Sequence, residues 1–308
     1  MIRLSAIAQE ILGAPTPAPV GPTAAVSLFA SLEAFVGHIQ SLAGTRAELP
    51  WPDLEALMGR VVDHLANSDE LFWVATTRTI DANTDYLAFH HARVAVMAAR
   101  IGENLGYQRD EQLVVGMAGC LFDLGLAGVP LTLLRTADGL PPADDAVYRD
   151  HPRRAAALVR SWAAPHPSIE QAVLQHHERE RGQGYPDGRS GAGIHPHSKI
   201  LGVLDLYTRL TTPPAWQLPR APHEAVREIV KTRNEAFPSE LIKALLAEIS
   251  VFPPGTLVRL NTGDTALVVG ANRHQPLRPK LALLGGTRQI NLIETPFMYI
   301  VGPAGDGE

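Results

Sequence analysis

The chain has 308 residues, a formal net charge of −5, one cysteine and 45% hydrophobic residues. This length and composition accommodate one sizeable helical domain and a smaller second domain. The net negative charge excludes a general electrostatic attraction to anionic partners, so neither nucleic acid nor a membrane surface is expected to bind. Cys120 cannot form an internal disulfide, and its apolar neighbours predict a packed, inert thiol in a reducing cytosol.

Residues 1–66 are predicted to form an N-terminal helical extension. A Pro-rich tract at residues 13–23 is predicted to be an extended linker between a short N-terminal helix and the rest of the chain, because proline cannot continue a helix. Helical spacing of apolar residues follows in Ala24–Leu42 and Trp51–Ala66. Polar residues interrupt the first apolar run, and the most apolar later stretch, Val114–Leu134, contains an aspartate and a proline. We therefore expect no cleaved leader and no membrane span, and a soluble cytoplasmic protein.

Residues 67–250 carry a helical pattern almost throughout and are predicted to form an all-α domain. The predicted helices are Tyr86–Leu105, Asp110–Leu124, Pro142–Trp162, Ser168–Glu178, His197–Leu210, His223–Val230 and Ser239–Ile249.

Residues 251–308 change to a strand pattern. Gly255–Leu260 and Thr265–Val269 flank a hairpin turn at Asn261–Asp264, and Lys280–Leu284 and Gln289–Ile293 are two more candidate strands. About four strands make a small β-domain. The expected fold class is therefore mainly α, a helical bundle with a helical extension before it and a small C-terminal β-domain after it.

The most informative stretch is residues 176–186, which reads His-His-Glu-Arg-Glu-Arg-Gly-Gln-Gly-Tyr-Pro. Two neutral imidazoles side by side can bind a transition metal, and the glycines let backbone approach a ligand closely. The segment resembles the signature of the HD-GYP family, a branch of the bacterial HD metal-dependent phosphohydrolases whose best-known substrate is cyclic di-GMP. The family form reads His-His-Glu-x-x-Asp-Gly-x-Gly-Tyr-Pro, and Arg181 replaces its aspartate here.

The resemblance continues in family order from residue 85 to residue 241 and implies an HD-type bundle. Asp85–Val94 is similar to the helix that supplies the first histidine ligand, here His90. Residues 121–130 are similar to the segment that supplies the name-giving His-Asp pair. Asp123 is present there, whereas Phe122 stands in place of the histidine and Leu126 in place of a lysine.

The remaining ligands implied by the resemblance follow downstream. They are His151 at a His-Pro helix start, the pair His176 and His177, and Asp205 on the helix after residue 199. One ion would lie among His90, the position of Phe122, Asp123 and Asp205, and this position lacks a ligand. The other would lie among Asp123, His151, His176 and His177. These ligands suit Fe, Mn, Zn or Ni. Because only the second position keeps all four of its ligands, we expect one firm metal site there and leave occupancy of the first position open.

The resemblance assigns the catalytic role to Asp123 as the bridging carboxylate and places Tyr185 of the Gly-Tyr-Pro turn beside the pocket as a candidate substrate contact. Arg181 and Lys199 are further candidate substrate contacts, because they are cations close to these motifs. Solvated surface positions are the alternative for Arg181 and Lys199, and a turn-anchoring role is the alternative for Tyr185. Two arginines that the family uses to hold phosphates correspond here to Pro214 and Gln217.

The favoured hypothesis is a degenerate cyclic-di-GMP phosphodiesterase homologue with weak or no hydrolysis and a role in signalling or protein interaction. A cyclic dinucleotide, a signalling protein and a second copy of the chain are its candidate partners. The alternative is an active metal-dependent phosphodiesterase that cleaves cyclic di-GMP or another phosphoester. A third hypothesis is a structural role with neither metal nor nucleotide.

Overall fold

The computed structural model describes residues 23–80, 84–129, 142–272, 275, 277–284 and 289–304. The predicted linker, except for Thr23, lies outside the described residues, as do the short helix expected before it and Pro130 of the His-Asp segment. Two compact units are present. In the described chain one comprises residues 23–220 and 227–244, and the other residues 221–226 and 245–304. The domain boundaries after residues 66 and 250 stay predictions.

The fold class is mainly α with a small C-terminal antiparallel sheet, as predicted. The helices are α1 (Ala24–Leu42), α2 (Trp51–Asn67), α3 (Glu70–Thr77), α4 (Tyr86–Asn104), α5 (Arg109–Gly119), α6 (Pro142–Arg149), α7 (His151–Ser161), α8 (Pro167–Gln175), α9 (Pro196–Thr211), α10 (Pro222–Lys231) and α11 (Ser239–Glu248). Short 3-10 turns occupy Leu124–Gly128 and Gly191–Gly193.

Three helical predictions differ from the structure. The single helix expected over Pro142–Trp162 is two helices, because Asp150 interrupts the run and α7 begins at His151 with Pro152 in its first turn, where proline needs no amide hydrogen. The helix expected up to Leu124 ends at Gly119, and the chain turns before the 3-10 segment. Helix α3 was not predicted.

Helix α4 is the centre of the helical unit, since every residue from Ala88 to Gly102 is buried. Helix α1 packs on it through an apolar face with helical spacing, and the rings of Phe29 and Phe89 meet edge to face at 5.8 Å. By length and composition alone, α1 is also apolar enough to span a membrane, a criterion that buried core helices meet as well. The sequence prediction missed it by selecting Val114–Leu134 as the most apolar stretch.

The smaller unit contains an antiparallel sheet in the order β4-β3-β2-β1-β5. Its strands are β1 (Leu257–Leu260), β2 (Thr265–Gly270), β3 (Lys280–Leu283), β4 (Gln289–Asn291) and β5 (Ile300–Pro303). The first four correspond to the predicted strands, and Gly263 supplies the positive φ of +90° in the hairpin turn. Strand β5 was missed because glycine and proline make up half of it, and such residues suit an edge strand.

Candidate metal centre

Six histidine and aspartate side chains from five different elements converge inside the helical unit. His90 comes from α4, Asp123 from the turn after α5, His151 from the first residue of α7, the pair His176 and His177 from the end of α8, and Asp205 from α9. All six are at most 3% exposed. The structure therefore brings together every residue that the sequence predicted as a ligand.

These side chains form two ligand groups that share Asp123. One consists of Asp123, His151, His176 and His177, and the other of His90, Asp123 and Asp205. Within each group the candidate ligand atoms all lie within 4.8 Å of one another. We call them the four-ligand group and the three-ligand group. Their composition matches the two metal positions implied by the sequence, without the side chain at residue 122.

The backbone fixes the tautomer of two histidines in the four-ligand group. His151 Nδ1 donates to the Tyr148 carbonyl oxygen at 2.8 Å, and His176 Nδ1 donates to the Val173 carbonyl oxygen at 2.7 Å. Each Nε2 atom then points inward, at 3.1 and 3.2 Å from Asp123 Oδ1, and the two Nε2 atoms are 3.5 Å apart. This arrangement is typical of metal-ligating histidines, whose second nitrogen donates to a carbonyl or carboxylate.

Two ligand atoms of the four-ligand group lack hydrogen-bond partners. Asp123 Oδ1 and His177 Nε2 are buried, and neither takes part in a hydrogen bond of good geometry within the described structure. Leaving such a group unpaired costs about 1–3 kcal/mol, and more when it is charged. A divalent transition ion accepts imidazole and carboxylate lone pairs simultaneously, so the residues present fit a metal.

The surroundings of Asp123 and His177 favour the metal-binding forms of these two side chains. Burial alone would raise the pKa of Asp123, but the rings of His151 and His176 hold that pKa well below its ordinary value. Burial, reinforced by His176 and His151, lowers the pKa of His177 far below its usual range. Asp123 is therefore a carboxylate and His177 a neutral imidazole at neutral pH.

Phe122 occupies the space between the two ligand groups. Its ring is fully buried, and the ring centroids of His91, His176 and His90 lie 4.9, 5.1 and 5.7 Å away. His91 is itself buried beside Phe122 and belongs to neither ligand group. The phenyl ring is an apolar group without a lone pair, so residue 122 supplies no ligand atom to either group.

Glycines contact the backbone of all three histidines in the four-ligand group. A Cβ atom added at Gly125, Gly184 or Gly202 would approach the carbonyl oxygen of His151, His177 or His176, respectively, to less than 3.0 Å. Cβ atoms essentially never come that close to another atom. These glycines therefore allow the close backbone packing that sets the position of each imidazole.

Glu178 holds the Gly-Tyr-Pro loop against the centre. Its buried carboxylate accepts hydrogen bonds from the backbone amides of Asp187 and Arg189 at 2.8 and 2.9 Å. Within this loop, the ring of Tyr185 stacks on His177 with a centroid distance of 4.5 Å. Tyr185 is thus adjacent to the metal cluster, and both its turn-anchoring role and its substrate role are compatible with this position.

The two cations predicted to contact substrate have carboxylate partners elsewhere. Lys199 Nζ lies 2.9 Å from Glu180 Oε2, and the exposed Arg181 lies 3.6 Å from the Glu235 carboxylate. Leu126, in place of the family's lysine, is buried in the 3-10 turn. The substrate-binding roles of Arg181 and Lys199 stay predictions.

Sequence reasoning missed Arg209 and Tyr148. Arg209 Nη2 lies 3.1 Å from Asp205 Oδ2, and Arg209 Nη1 donates to the Tyr148 hydroxyl at 3.1 Å. The i, i+4 spacing of Asp205 and Arg209 was the available signal, because residues four apart lie on one helix face. The partnership with Tyr148 depends on how α6 and α9 pack, which no local pattern reveals.

The comparison with known families matches residues 64–241 to the HD domain. The chain is 25% identical over 287 residues to the cyclic di-GMP phosphodiesterase PA4108 of Pseudomonas aeruginosa, covering 89% of this chain and 68% of that protein. It is 27% identical over 155 residues to the cyclic di-GMP phosphodiesterase response regulator RpfG of Xanthomonas campestris, covering 50% of this chain and 41% of RpfG. The chain thus spans about two thirds of the first relative and less than half of the second.

A solved structure shares the fold. Bd1817, an HDG"Y"P protein from Bdellovibrio bacteriovorus, superposes with a TM-score of 0.63 at 18% sequence identity, covering 78% of this chain and 77% of Bd1817. This similarity extends to the arrangement of elements and supports the HD-type bundle.

Proposed function

We propose, since this chain belongs to the HD domain family and within it to the HD-GYP branch, that it is a degenerate cyclic-di-GMP phosphodiesterase homologue. In this proposal it holds one divalent transition metal firmly, hydrolyses cyclic dinucleotides weakly or not at all, and acts in cytoplasmic signalling. The observation that carries the proposal is the fully buried Phe122 ring at the place of a ligand.

The four-ligand group is where the metal would bind. His151, His176 and His177 present imidazole nitrogens, and Asp123 presents a carboxylate oxygen shared with the three-ligand group. Divalent ions, when bound in such a centre, supply Lewis acidity toward a phosphoryl oxygen and toward water. The three-ligand group offers a second ion only His90, Asp123 and Asp205. A second ion would therefore have one ligand fewer than the first, which disfavours two-metal hydrolysis.

The residues near the candidate substrate site also favour weak substrate binding. Leu126 is buried, and Lys199 and Arg181 already have carboxylate partners in Glu180 and Glu235. A doubly anionic cyclic dinucleotide is held best by cations that are free to pair with its phosphates. These residues therefore favour weak binding of a cyclic dinucleotide. In that case the chain would signal through a protein partner or a second copy of itself.

The test combines elemental analysis with a turnover assay on the purified full chain. We expect about one Fe, Mn, Zn or Ni ion per chain, and no conversion of cyclic di-GMP to linear dinucleotide or GMP at ordinary enzymatic rates. Two ions per chain together with rapid turnover would overturn the proposal in favour of an active phosphodiesterase. Complete absence of metal would instead favour a structural role.

A matched pair of variants tests which group holds the ion. His177→Ala removes one of four ligands, and we expect metal affinity to fall at least 10–100-fold, the range typical of losing even an outer partner. His38→Ala removes an exposed histidine of α1 that lies outside both ligand groups and should leave metal content unchanged. Equal metal content in the two variants would contradict the assignment of the four-ligand group.

A further inference from the structure

A guanidinium group lies beside one carboxylate of the three-ligand group. Arg209 Nη2 is 3.1 Å from Asp205 Oδ2, while His90 Nε2 contacts Asp205 Oδ1 at 3.1 Å. Arg209 also donates to the Tyr148 hydroxyl at 3.1 Å, which ties α9 to α6. The Arg209 side chain is 37% exposed and Asp205 is not exposed at all. The cation therefore reaches inward from the solvent side to a fully buried ligand.

The two ligand groups consequently differ in charge. Arginine remains protonated under all ordinary conditions, so Arg209 places a permanent positive charge next to Asp205. Within the described residues, Asp123 of the four-ligand group lies at ion-pair distance from the imidazoles of His151 and His176, which act as ligands when neutral. A divalent ion bound by Asp205 would have to share that carboxylate with Arg209, and the positive charge of Arg209 would repel the ion.

We propose that Arg209 is a built-in counter-ion that replaces the metal ion of the three-ligand group. The centre then consists of one metal ion in the four-ligand group and a fixed guanidinium at Asp205. The inference rests on the proposed function, because it assumes that the cluster is a metal centre. It goes further by assigning the loss of the second ion to Arg209 as well as to Phe122. Two separate changes would then be needed to restore that ion.

A double-mutant cycle on the full chain tests this inference. Mn²⁺ binding is titrated to the wild type, Phe122→His, Arg209→Met and the double variant, and the ions per chain are counted after desalting. Methionine keeps an unbranched, flexible side chain, although a shorter one, and removes the charge. We expect about one ion per chain in the wild type and in each single variant. The double variant should bind a second ion at least tenfold more tightly than Phe122→His does.

The control is Arg153→Met in the Phe122→His background. Arg153 is an exposed arginine paired with Asp187 outside both ligand groups, so its removal should not change binding of the second ion. The inference is overturned if Phe122→His alone binds the second ion as tightly as the double variant does, or if the Arg153 control gives the same gain. A cycle in which no variant gains an ion overturns it as well.

Folding and the proposed function are judged separately. Thermal unfolding followed by circular dichroism identifies any variant that does not fold, and Arg209→Gln then replaces Arg209→Met in the cycle. Failure of the wild type to bind any Mn²⁺ would count against the proposed function. The inference about Arg209 depends instead on the difference between Phe122→His and the double variant.

Discussion

Replacing Gly202 by alanine has two opposing effects on the stability of the folded chain, one from helix propensity and one from backbone packing beside the candidate metal centre. Gly202 lies inside α9, where alanine is favoured over glycine by about 1 kcal/mol. Propensity alone would therefore make Gly202→Ala stabilising. The added Cβ, however, would come closer than 3.0 Å to the carbonyl oxygen of His176, the residue that follows α8. This backbone atom cannot move as freely as the end of a side chain.

The packing effect should outweigh the propensity effect. Forcing an extra carbon into a well-packed interior typically costs about 1–3 kcal/mol, and the contact here is with backbone. After subtraction of the gain of about 1 kcal/mol in helix propensity, we expect a net loss of up to about 2 kcal/mol, which lowers Tm by up to roughly 8 °C for a domain of this size. Because the displaced carbonyl belongs to His176, metal affinity should also fall, since ligand distances tolerate only about 0.2 Å.

Gly37→Ala is the matched control. Gly37 also lies inside a helix, and its added Cβ would meet only Ala88 Cβ at an ordinary 3.7 Å. We expect this variant to gain about 0.5–1 kcal/mol and to bind metal as the wild type does. Differential scanning calorimetry and Mn²⁺ titration measure both effects. An increase in Tm for Gly202→Ala equal to that for Gly37→Ala would refute the argument.

Three further outcomes follow from buried groups in the helical unit. Glu178→Ala frees two backbone amides of the Gly-Tyr-Pro loop, so limited proteolysis should cut this loop faster than in the wild type. Burial raises the pKa of the Cys120 thiol, so a thiol reagent should label the chain only after unfolding, and rapid labelling of native protein would contradict the packing. Burial and His195 lower the pKa of His197 to about 4. The unfolded chain protonates His197 from about pH 6.5 downward, whereas the folded chain does so only near pH 4. The free energy of unfolding should therefore fall by about 1–3 kcal/mol between pH 6.5 and 4. His197→Gln should reduce this pH dependence in urea-unfolding measurements.

The sequence predicted which side chains cluster because each candidate ligand belongs to a short local motif. His176 and His177 adjoin the Gly-Tyr-Pro loop, and Asp123 lies in a recognisable frame even though Phe122 precedes it. The helices were found because apolar residues repeat at helical spacing. Their ends were less predictable, and the break at Asp150 was missed because the apolar pattern of α6 continues into α7.

Features that depend on packing between distant segments could not be predicted. The contact of Gly202 with the His176 carbonyl joins α9 to the end of α8, and that of Gly125 with the His151 carbonyl joins a 3-10 turn to α7. Lys199 was predicted to face substrate, but its distance to Glu180 depends on the path of the loop after α8. Residue type suggests what a side chain can do, whereas only the fold decides which partner it meets.

The contrast between the two ligand groups argues against a purely structural role for the cluster. Burying titratable side chains is costly, and apolar residues of similar volume stabilise an interior at least as well. In the four-ligand group, backbone carbonyls orient the imidazoles of His151 and His176, yet Asp123 Oδ1 and His177 Nε2 keep no hydrogen-bond partner in the described structure. A bound cation satisfies these atoms together. In the three-ligand group, Arg209 already supplies a positive charge to Asp205, so the same reasoning calls for one metal ion and not two.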